Sequence, residues 1–120
     1  MSRTSSIKRS QKESQLRKVM SDLIQKTSLD YPQLFGVNVS RVVLSPDKGV
    51  CTVFFYSVDG EAQFAQQLEQ LKLFKPSLRK ALAQSVPSRY VPELVFRYDT
   101  QLEKQLKIEA LLDKVKHENE

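Results

Sequence analysis

The chain has 120 residues, a formal net charge of +5, 40% hydrophobic residues and 28% charged residues, which is the composition of one globular domain. Its one cysteine, Cys51, and one histidine, His117, exclude an intramolecular disulfide framework and metal sites built from pairs of these residues. No apolar run approaches the roughly 18 residues of a membrane span, and no apolar secretory signal begins the chain. We therefore expect a cytoplasmic monomer with no cofactor, no metal and no membrane contact.

The positive charge is concentrated in two segments. Residues 1–26 hold seven basic and two acidic side chains, and residues 72–97 hold six basic and one acidic, so each segment carries +5 and the remainder carries −5. Two basic segments in an otherwise acidic chain are typical of a surface that binds a polyanion. Two ordinary solvated helix faces would give the same pattern, so charge alone leaves both interpretations open.

The N-terminal part of the sequence predicts an arm followed by a helix. Residues 1–10 are mainly Ser, Thr, Arg and Lys, which favours a flexible basic arm over an organelle presequence, because the helix starts soon afterwards. Apolar residues then recur at the spacing of one helical face. They predict a first helix over about 11–27, with the apolar positions Leu16, Val19, Met20, Leu23 and Ile24.

A β-hairpin is predicted next. The Val-rich segment 37–44 and the β-branched and aromatic segment 50–58 are both typical of strands. Between them, residues 45–49 form a Ser-Pro-Asp-Lys-Gly turn in which Gly49 can adopt a positive φ. Two strands joined by so short a turn pair antiparallel.

The remaining elements are a broken helix, a third strand and a last helix. Residues 61–84 have the pattern of a helix, but Pro76 removes a helical hydrogen bond, so we predict a kink at Phe74, Lys75 and Pro76. Alternating apolar residues over 94–98 predict the third strand. Apolar residues between 102 and 115 predict the last helix. The domain then spans 11–116, and a frayed tail, 117–120, follows.

This order of elements predicts an α+β fold. A hairpin followed by a helical crossover to a third strand gives a small three-stranded mixed sheet with helices packed on one face. That arrangement is compatible with a KH-like domain of type II with a kinked second helix, although a fold does not by itself fix a function. Because Phe54, Phe55 and Tyr56 are adjacent, at least one of them faces away from a single core. We expect a second helix layer over that other face.

Three segments carry a family resemblance. The most specific is RYVPELVFRYD at 89–99, which follows LRKALA at 78–83. The others are LSPD at 44–47, with the strand after it, and Glu103 with the pairs 107–108 and 111–112. Over about 11–115 the chain resembles ribosome-binding factor A, a bacterial and organellar assembly factor for the small ribosomal subunit.

The resemblance implies a KH-like, non-catalytic protein that binds the small ribosomal subunit and its rRNA. It also implies a role in late maturation of the 5′ end of 16S rRNA and in cold adaptation. In the family a helical kink around Ala-x-Gly replaces the usual KH Gly-x-x-Gly loop, and Phe74, Lys75 and Pro76 stand at those positions here. Without the small Gly, a close approach of backbone to phosphate is less favoured.

A second departure from the family pattern follows the third strand. The family favours Asp-x-Ser-x-Glu-x-Gly there, and Asp99 and Glu103 match it. Gln101 replaces the Ser and Gln105 replaces the Gly. The loss of the Gly predicts that the last helix continues where relatives bend.

Basic residues are the candidate RNA-binding residues, because neutralising phosphates and releasing counterions supplies most of the affinity for RNA. We assign this role to Lys72, Lys75, Arg79, Lys80, Arg89, Arg17 and Lys18. Arg9 and Lys12 could extend the surface on the first helix. Arg89 could instead pair with Glu93 or with the last helix, and Tyr90 could stack on a base but is better explained by packing.

Two alternative functions stay open. One is a generic basic RNA-binding module without ribosomal specificity, and the other is a small adaptor that binds an acidic protein. An enzyme is not expected, because the sequence offers no nucleophile–base pair and no metal cluster. Cys51 lies in the middle of a strand, which predicts a buried and inert thiol.

Overall fold

The computed structural model describes the backbone of residues 3–86 and 91–118, and the side chains of 7–86 and 91–117. The elements in these ranges follow the predicted order. They are α1 (Arg3–Asp30), a 3₁₀ turn (Pro32–Leu34), β1 (Val37–Leu44), β2 (Val50–Ser57), α2 (Glu61–Leu73), α3 (Lys75–Ser85), β3 (Glu93–Tyr98) and α4 (Thr100–Glu118). No helix in the described part of the chain is long and apolar enough to cross a membrane.

Both terminal helices are longer than predicted. Helix α1 takes in residues 3–10 of the predicted arm, and α4 runs unbroken through Gln105 to Glu118, inside the predicted tail. Both extensions are mainly polar, so no apolar period marks these ends in the sequence, and their Lys, Arg and Glu residues extend a helix at little cost in free energy. Residues 1–2 and 119–120 lie outside the described residues, and the division into arm, domain and tail stays a prediction.

The three strands form one mixed sheet with the order β1-β2-β3. Strand β1 pairs antiparallel with β2, and β3 pairs parallel with β2. In the hairpin turn the positive φ falls on Lys48, at 62°, and not on Gly49 as predicted. The side chain of Asp47 explains the difference, because its Oδ1 accepts the Gly49 N–H at 3.0 Å and the Ser45 hydroxyl at 2.6 Å.

The hydrophobic core lies between one face of the sheet and helices α1, α2 and α3. Alternate residues of β2 are buried on that face, as a period of two requires. At its centre, Phe55 packs with ring centroids 5.6 Å from Phe64 and 5.2 Å from Phe96. The predicted three-stranded mixed sheet with helices on one face is confirmed.

The predicted second helix layer is wrong. Phe54 and Tyr56 lie half-buried on the face of the sheet opposite the three helices. The last helix, α4, does not cover this face, because the apolar residues of its second half are each more than half exposed: Ile108, Leu111, Leu112 and Val115. The apolar spacing of α4 predicted the helix correctly, but it did not predict where the helix lies relative to the sheet.

The buried side chain of Asp99 fixes the start of α4. Its Oδ1 accepts the Leu102 N–H at 3.0 Å, and its Oδ2 accepts the Ser40 hydroxyl at 2.7 Å and the Arg41 Nε–H at 3.1 Å. Ser40 lies at an irregularity in the β1–β2 register between Val39 and Arg41. Burial raises the pKa of Asp99, but the three donors and the Arg41 charge together hold it below its ordinary value.

Candidate nucleic-acid interface

The helix break falls at the predicted position. Phe74 ends α2 and begins α3: its N–H donates to the Leu71 carbonyl at 3.0 Å, and its own carbonyl accepts the Leu78 N–H at 2.8 Å. Pro76 lies in the first turn of α3, where its missing N–H costs no helical hydrogen bond. The predicted kink at Phe74, Lys75 and Pro76 is therefore a break between two helices.

Three lysines surround this break, and we call Lys72, Lys75 and Lys80 the kink surface. Lys80 is exposed and has no ion-pair partner among the described residues. Lys72 is also exposed, and its only described ion pair is with Glu69 at 3.6 Å, a surface pair of small free energy. Lys75 is half-buried, and its Nζ lies 5.1 Å from the centroid of the Phe96 ring. Two of the three ammonium groups are thus open to an incoming phosphate.

Arg79 has a different environment from these lysines. Its Nη2 donates to the Val91 carbonyl at 3.0 Å, and its Nε donates to the Pro92 carbonyl at 3.3 Å. The guanidinium therefore holds the connection that leads into β3. The sequence did not reveal this role, because the acceptors are backbone atoms 12 and 13 residues away. Arg89, the predicted neighbour in this connection, lies outside the described residues, as does Tyr90.

An open cavity of ≈ 260 Å³ lies between the start of α3 and the edge strand β3. Its lining comprises Lys75, Pro76, Arg79, Glu93 and Leu94. The cations in this lining favour a phosphate there, while Glu93 disfavours one on the β3 side.

The other candidate residues lie on α1, which packs against α3. Arg17 and Lys18 are both exposed. Arg9 and Lys12 are half-buried. The structure therefore places Lys72, Lys75 and Lys80 on the two helices that meet at the break, and Arg17 and Lys18 on a helix that packs against one of them.

The described part of the chain shows neither a metal-binding cluster nor a reactive thiol. No group of three or more His, Cys, Asp or Glu residues there could hold a metal ion. Cys51 is buried, as predicted, and burial, together with the charge of Glu13, raises the pKa of its thiol to about 11. A thiol with so high a pKa is a weak nucleophile at neutral pH.

Sequence comparison decides the family. A model of the ribosome-binding factor A family matches residues 8–112. The chain belongs to this family. The resemblance carried by the segments at 44–47, 78–83, 89–99 and 103–112 is confirmed.

Relatives from several bacteria, each described as ribosome-binding factor A, align with the chain. The protein from Halothermothrix orenii is 34% identical over 105 residues, which cover 88% of this chain and 85% of the relative. The one from Citrifermentans bemidjiense is 33% identical over 111 residues, which cover 91% and 92%. The one from Prochlorococcus marinus strain AS9601 is 34% identical over 84 residues, which cover 70% of this chain and 65% of the relative.

Solved structures give the same result for the fold. The crystal structure of ribosome-binding factor A from Thermus thermophilus matches with a TM-score of 0.64 and 32% identity, over 73% of this chain and 92% of that one. A homology model of the Thermus thermophilus factor, fitted into a cryo-EM map of a 30S complex, matches with a TM-score of 0.58 and 32% identity, over 69% of this chain and 86% of that one. The KH-like fold of the family, predicted from the element order, is confirmed.

Proposed function

We propose that this protein is a non-enzymatic assembly factor that binds the small (30S) ribosomal subunit through its 16S rRNA. It acts in late maturation of the subunit and assists processing of the 5′ end of 16S rRNA, in the cytoplasm, as a monomer and with greatest effect in the cold. Membership of the ribosome-binding factor A family carries the proposal. The Thermus thermophilus relative fitted into a map of a 30S complex supports the choice of partner.

The kink surface supplies the attraction for RNA. Lys72 and Lys80 are exposed on either side of the helix break, so both can approach phosphates without losing a buried partner. Each neutralised phosphate releases counterions, which makes binding weaken as the salt concentration rises. The protein then stabilises the rRNA conformation that it binds, and it dissociates when maturation removes that conformation.

The first test is sedimentation of the tagged protein with separated ribosomal subunits over a series of salt concentrations. We expect selective association with the small subunit that weakens as salt rises. Equal association with both subunits would indicate a generic RNA-binding module. No association with either subunit at physiological salt would contradict the proposal and favour an adaptor for an acidic protein.

A pair of charge reversals tests the kink surface within this function. Lys72→Glu combined with Lys80→Glu should weaken small-subunit binding by about tenfold or more and make its salt dependence shallower by about one to two phosphate contacts. Lys114→Glu combined with Lys116→Glu is the matched control, because both lysines are exposed on α4. Arg79 is left unchanged, since its guanidinium holds the connection to β3.

The control variant should bind the small subunit nearly as well as the natural protein. Circular dichroism shows whether each variant keeps its fold. Unchanged small-subunit affinity in a folded Lys72→Glu, Lys80→Glu protein would move the site away from the kink surface. The exposed cations of α1, Arg17 and Lys18, would then be the next residues to replace.

A further inference from the structure

Two arginines flank an aromatic ring on the uncovered face of the sheet. The strand register places Arg41 of β1 opposite Phe54 of β2, and Phe54 opposite Arg97 of β3. Tyr56 lies two residues further along the central strand, on the same face as Phe54. We call these four residues, Arg41, Phe54, Tyr56 and Arg97, the open-face row.

Arg41 is already held in position before any ligand is present. Its Nε donates to Asp99 at 3.1 Å, and its guanidinium carbon lies 4.1 Å from the centroid of the Phe54 ring. The side chain is nevertheless 44% exposed, and its two Nη amino groups donate no hydrogen bond among the described residues. A guanidinium fixed in this way loses little conformational entropy when it binds a phosphate or stacks on a base.

An open cavity of ≈ 310 Å³ lies beside Arg41, between the sheet and the first turns of α4. Its volume is at the lower end of the range of sites that bind small organic molecules. Five of its six lining residues have polar side chains: Ser40, Arg41, Asp99, Gln101 and Gln105, with Leu102 as the sixth. A nucleotide at the edge of the open-face row would therefore find both space and hydrogen-bonding groups.

We propose that the open-face row is a second RNA-binding surface, which takes a single-stranded segment. Aromatic rings and guanidinium planes stack on unpaired bases, and guanidinium groups bind phosphates in a bidentate manner. The stacking surfaces are the guanidinium on Phe54 and the ring of Tyr56, whose centroid lies 6.2 Å from that of the stacked Tyr98 ring. Arg97 supplies a cation with no ion-pair partner among the described residues. The proposal rests on the proposed function for its natural target, an rRNA.

The charges on this face favour RNA over an apolar or basic protein partner. Asp99, the acid beside Arg41, is 3% exposed, and its oxygens already accept three hydrogen bonds. Glu93 is opposite Val50 at the far end of β3, about 13 Å from Arg97 at the usual rise of a strand. The centre of the face therefore presents two guanidinium groups and no uncompensated carboxylate.

Fluorescence anisotropy of the full chain with a short single-stranded RNA of mixed sequence, and with a hairpin RNA, tests this proposal. The variant combines Tyr56→Leu with Arg97→Gln, and it leaves Arg41 intact because Asp99 depends on it. We expect about tenfold weaker binding of the single-stranded RNA, because one stacked base and one phosphate contact are lost. Binding of the hairpin should weaken less, since the bases of its stem are already stacked and mainly the phosphate contact is lost.

Two matched variants separate stacking from charge and from folding. Tyr56→Phe keeps the ring and should bind single-stranded RNA as the natural protein does. Lys114→Gln removes one positive charge from α4 and should also have no effect. Ultraviolet cross-linking of thiouridine-substituted RNA should label the peptide that contains residues 50–57.

Several results would overturn the inference. One is unchanged affinity for single-stranded RNA in the folded Tyr56→Leu, Arg97→Gln protein. Another is an equal loss of affinity for single-stranded and hairpin RNA. Unchanged RNA affinity with weaker small-subunit binding would identify a ribosomal protein as the occupant and also contradict it. If sedimentation shows no preference for small subunits while the Tyr56 effect holds, the proposed function fails and the RNA surface stands.

Discussion

Alternate residues of the same strands lie on opposite faces of the sheet, and the two faces differ in how far they are buried. On the covered face, Val53 and Phe55 are fully buried beneath three helices. On the open face, Thr52, Phe54 and Tyr56 stay half-buried. One strand therefore supplies both the centre of the hydrophobic core and a platform that nothing in the described part of the chain covers. The comparison teaches that stability and binding can be changed separately by replacing neighbouring residues.

Replacing neighbouring phenylalanines of β2 should give the largest difference. Phe55→Ala removes a fully buried ring that contacts Phe64 and Phe96, and it should lower the free energy of unfolding by about 3–5 kcal/mol. Phe54→Ala removes a half-buried ring and its contact with Arg41, and it should cost roughly 1 kcal/mol. Urea denaturation measures both values. Equal losses would show that the two faces do not differ as described.

Asp99 connects the open face to α4, so its replacement should have the next largest effect. Asp99→Ala leaves the Ser40 hydroxyl, the Arg41 Nε–H and the Leu102 N–H without their acceptor. Loss of such buried partners costs about 1–3 kcal/mol of unfolding free energy. Hydrogen exchange should also show faster exchange in the first turn of α4. Unchanged exchange there would contradict the role of Asp99 as the cap of this helix.

The same carboxylate predicts a pH dependence of stability. The folded pKa of Asp99 lies below its ordinary value of 3.8, so its contribution is complete above that value and is lost as pH falls through the folded pKa. Denaturation of the natural protein and of Asp99→Asn should therefore differ above roughly pH 5 and converge in acid. A difference that grows as pH falls would contradict this assignment.

Replacing Arg79 or Lys80, the adjacent cations of α3, should give the smallest difference in unfolding free energy. Arg79→Gln removes two hydrogen bonds from a charged donor to the carbonyls before β3 and should cost about 1–2 kcal/mol. Lys80→Gln removes an exposed charge and should change the unfolding free energy by less than about 0.5 kcal/mol. For RNA binding we expect Lys80→Gln to have the larger effect. The opposite order in both measurements would reverse the roles given to the two residues.

Much of the fold follows from local patterns in the sequence. β-Branched and aromatic composition located β1 and β2, period-two alternation located β3, and Pro76 located the break between α2 and α3. The replacement of a family Gly by Gln105 correctly predicted an unbroken α4. These features depend on residues close together in the chain, so a single sequence reveals them.

The features that the sequence did not reveal depend on distant contacts. Asp99 binds Ser40 and Arg41, which lie 59 and 58 residues away. Arg79 binds backbone atoms of Val91 and Pro92, which no side-chain pattern can indicate. Likewise, apolar spacing predicts that a helix such as α4 has an apolar face but not that this face stays exposed.

Lysine acetylation footprinting of the natural protein, free and bound to small ribosomal subunits, tests the central claim most directly. The account predicts that Lys72 and Lys80 react more slowly in the complex, because both lie on the surface that contacts rRNA. Lys114 and Lys116, exposed on α4, should react equally in both states. Equal reactivity of Lys72 and Lys80 in the free and bound protein would contradict the account, since the kink surface would then face away from the ribosome.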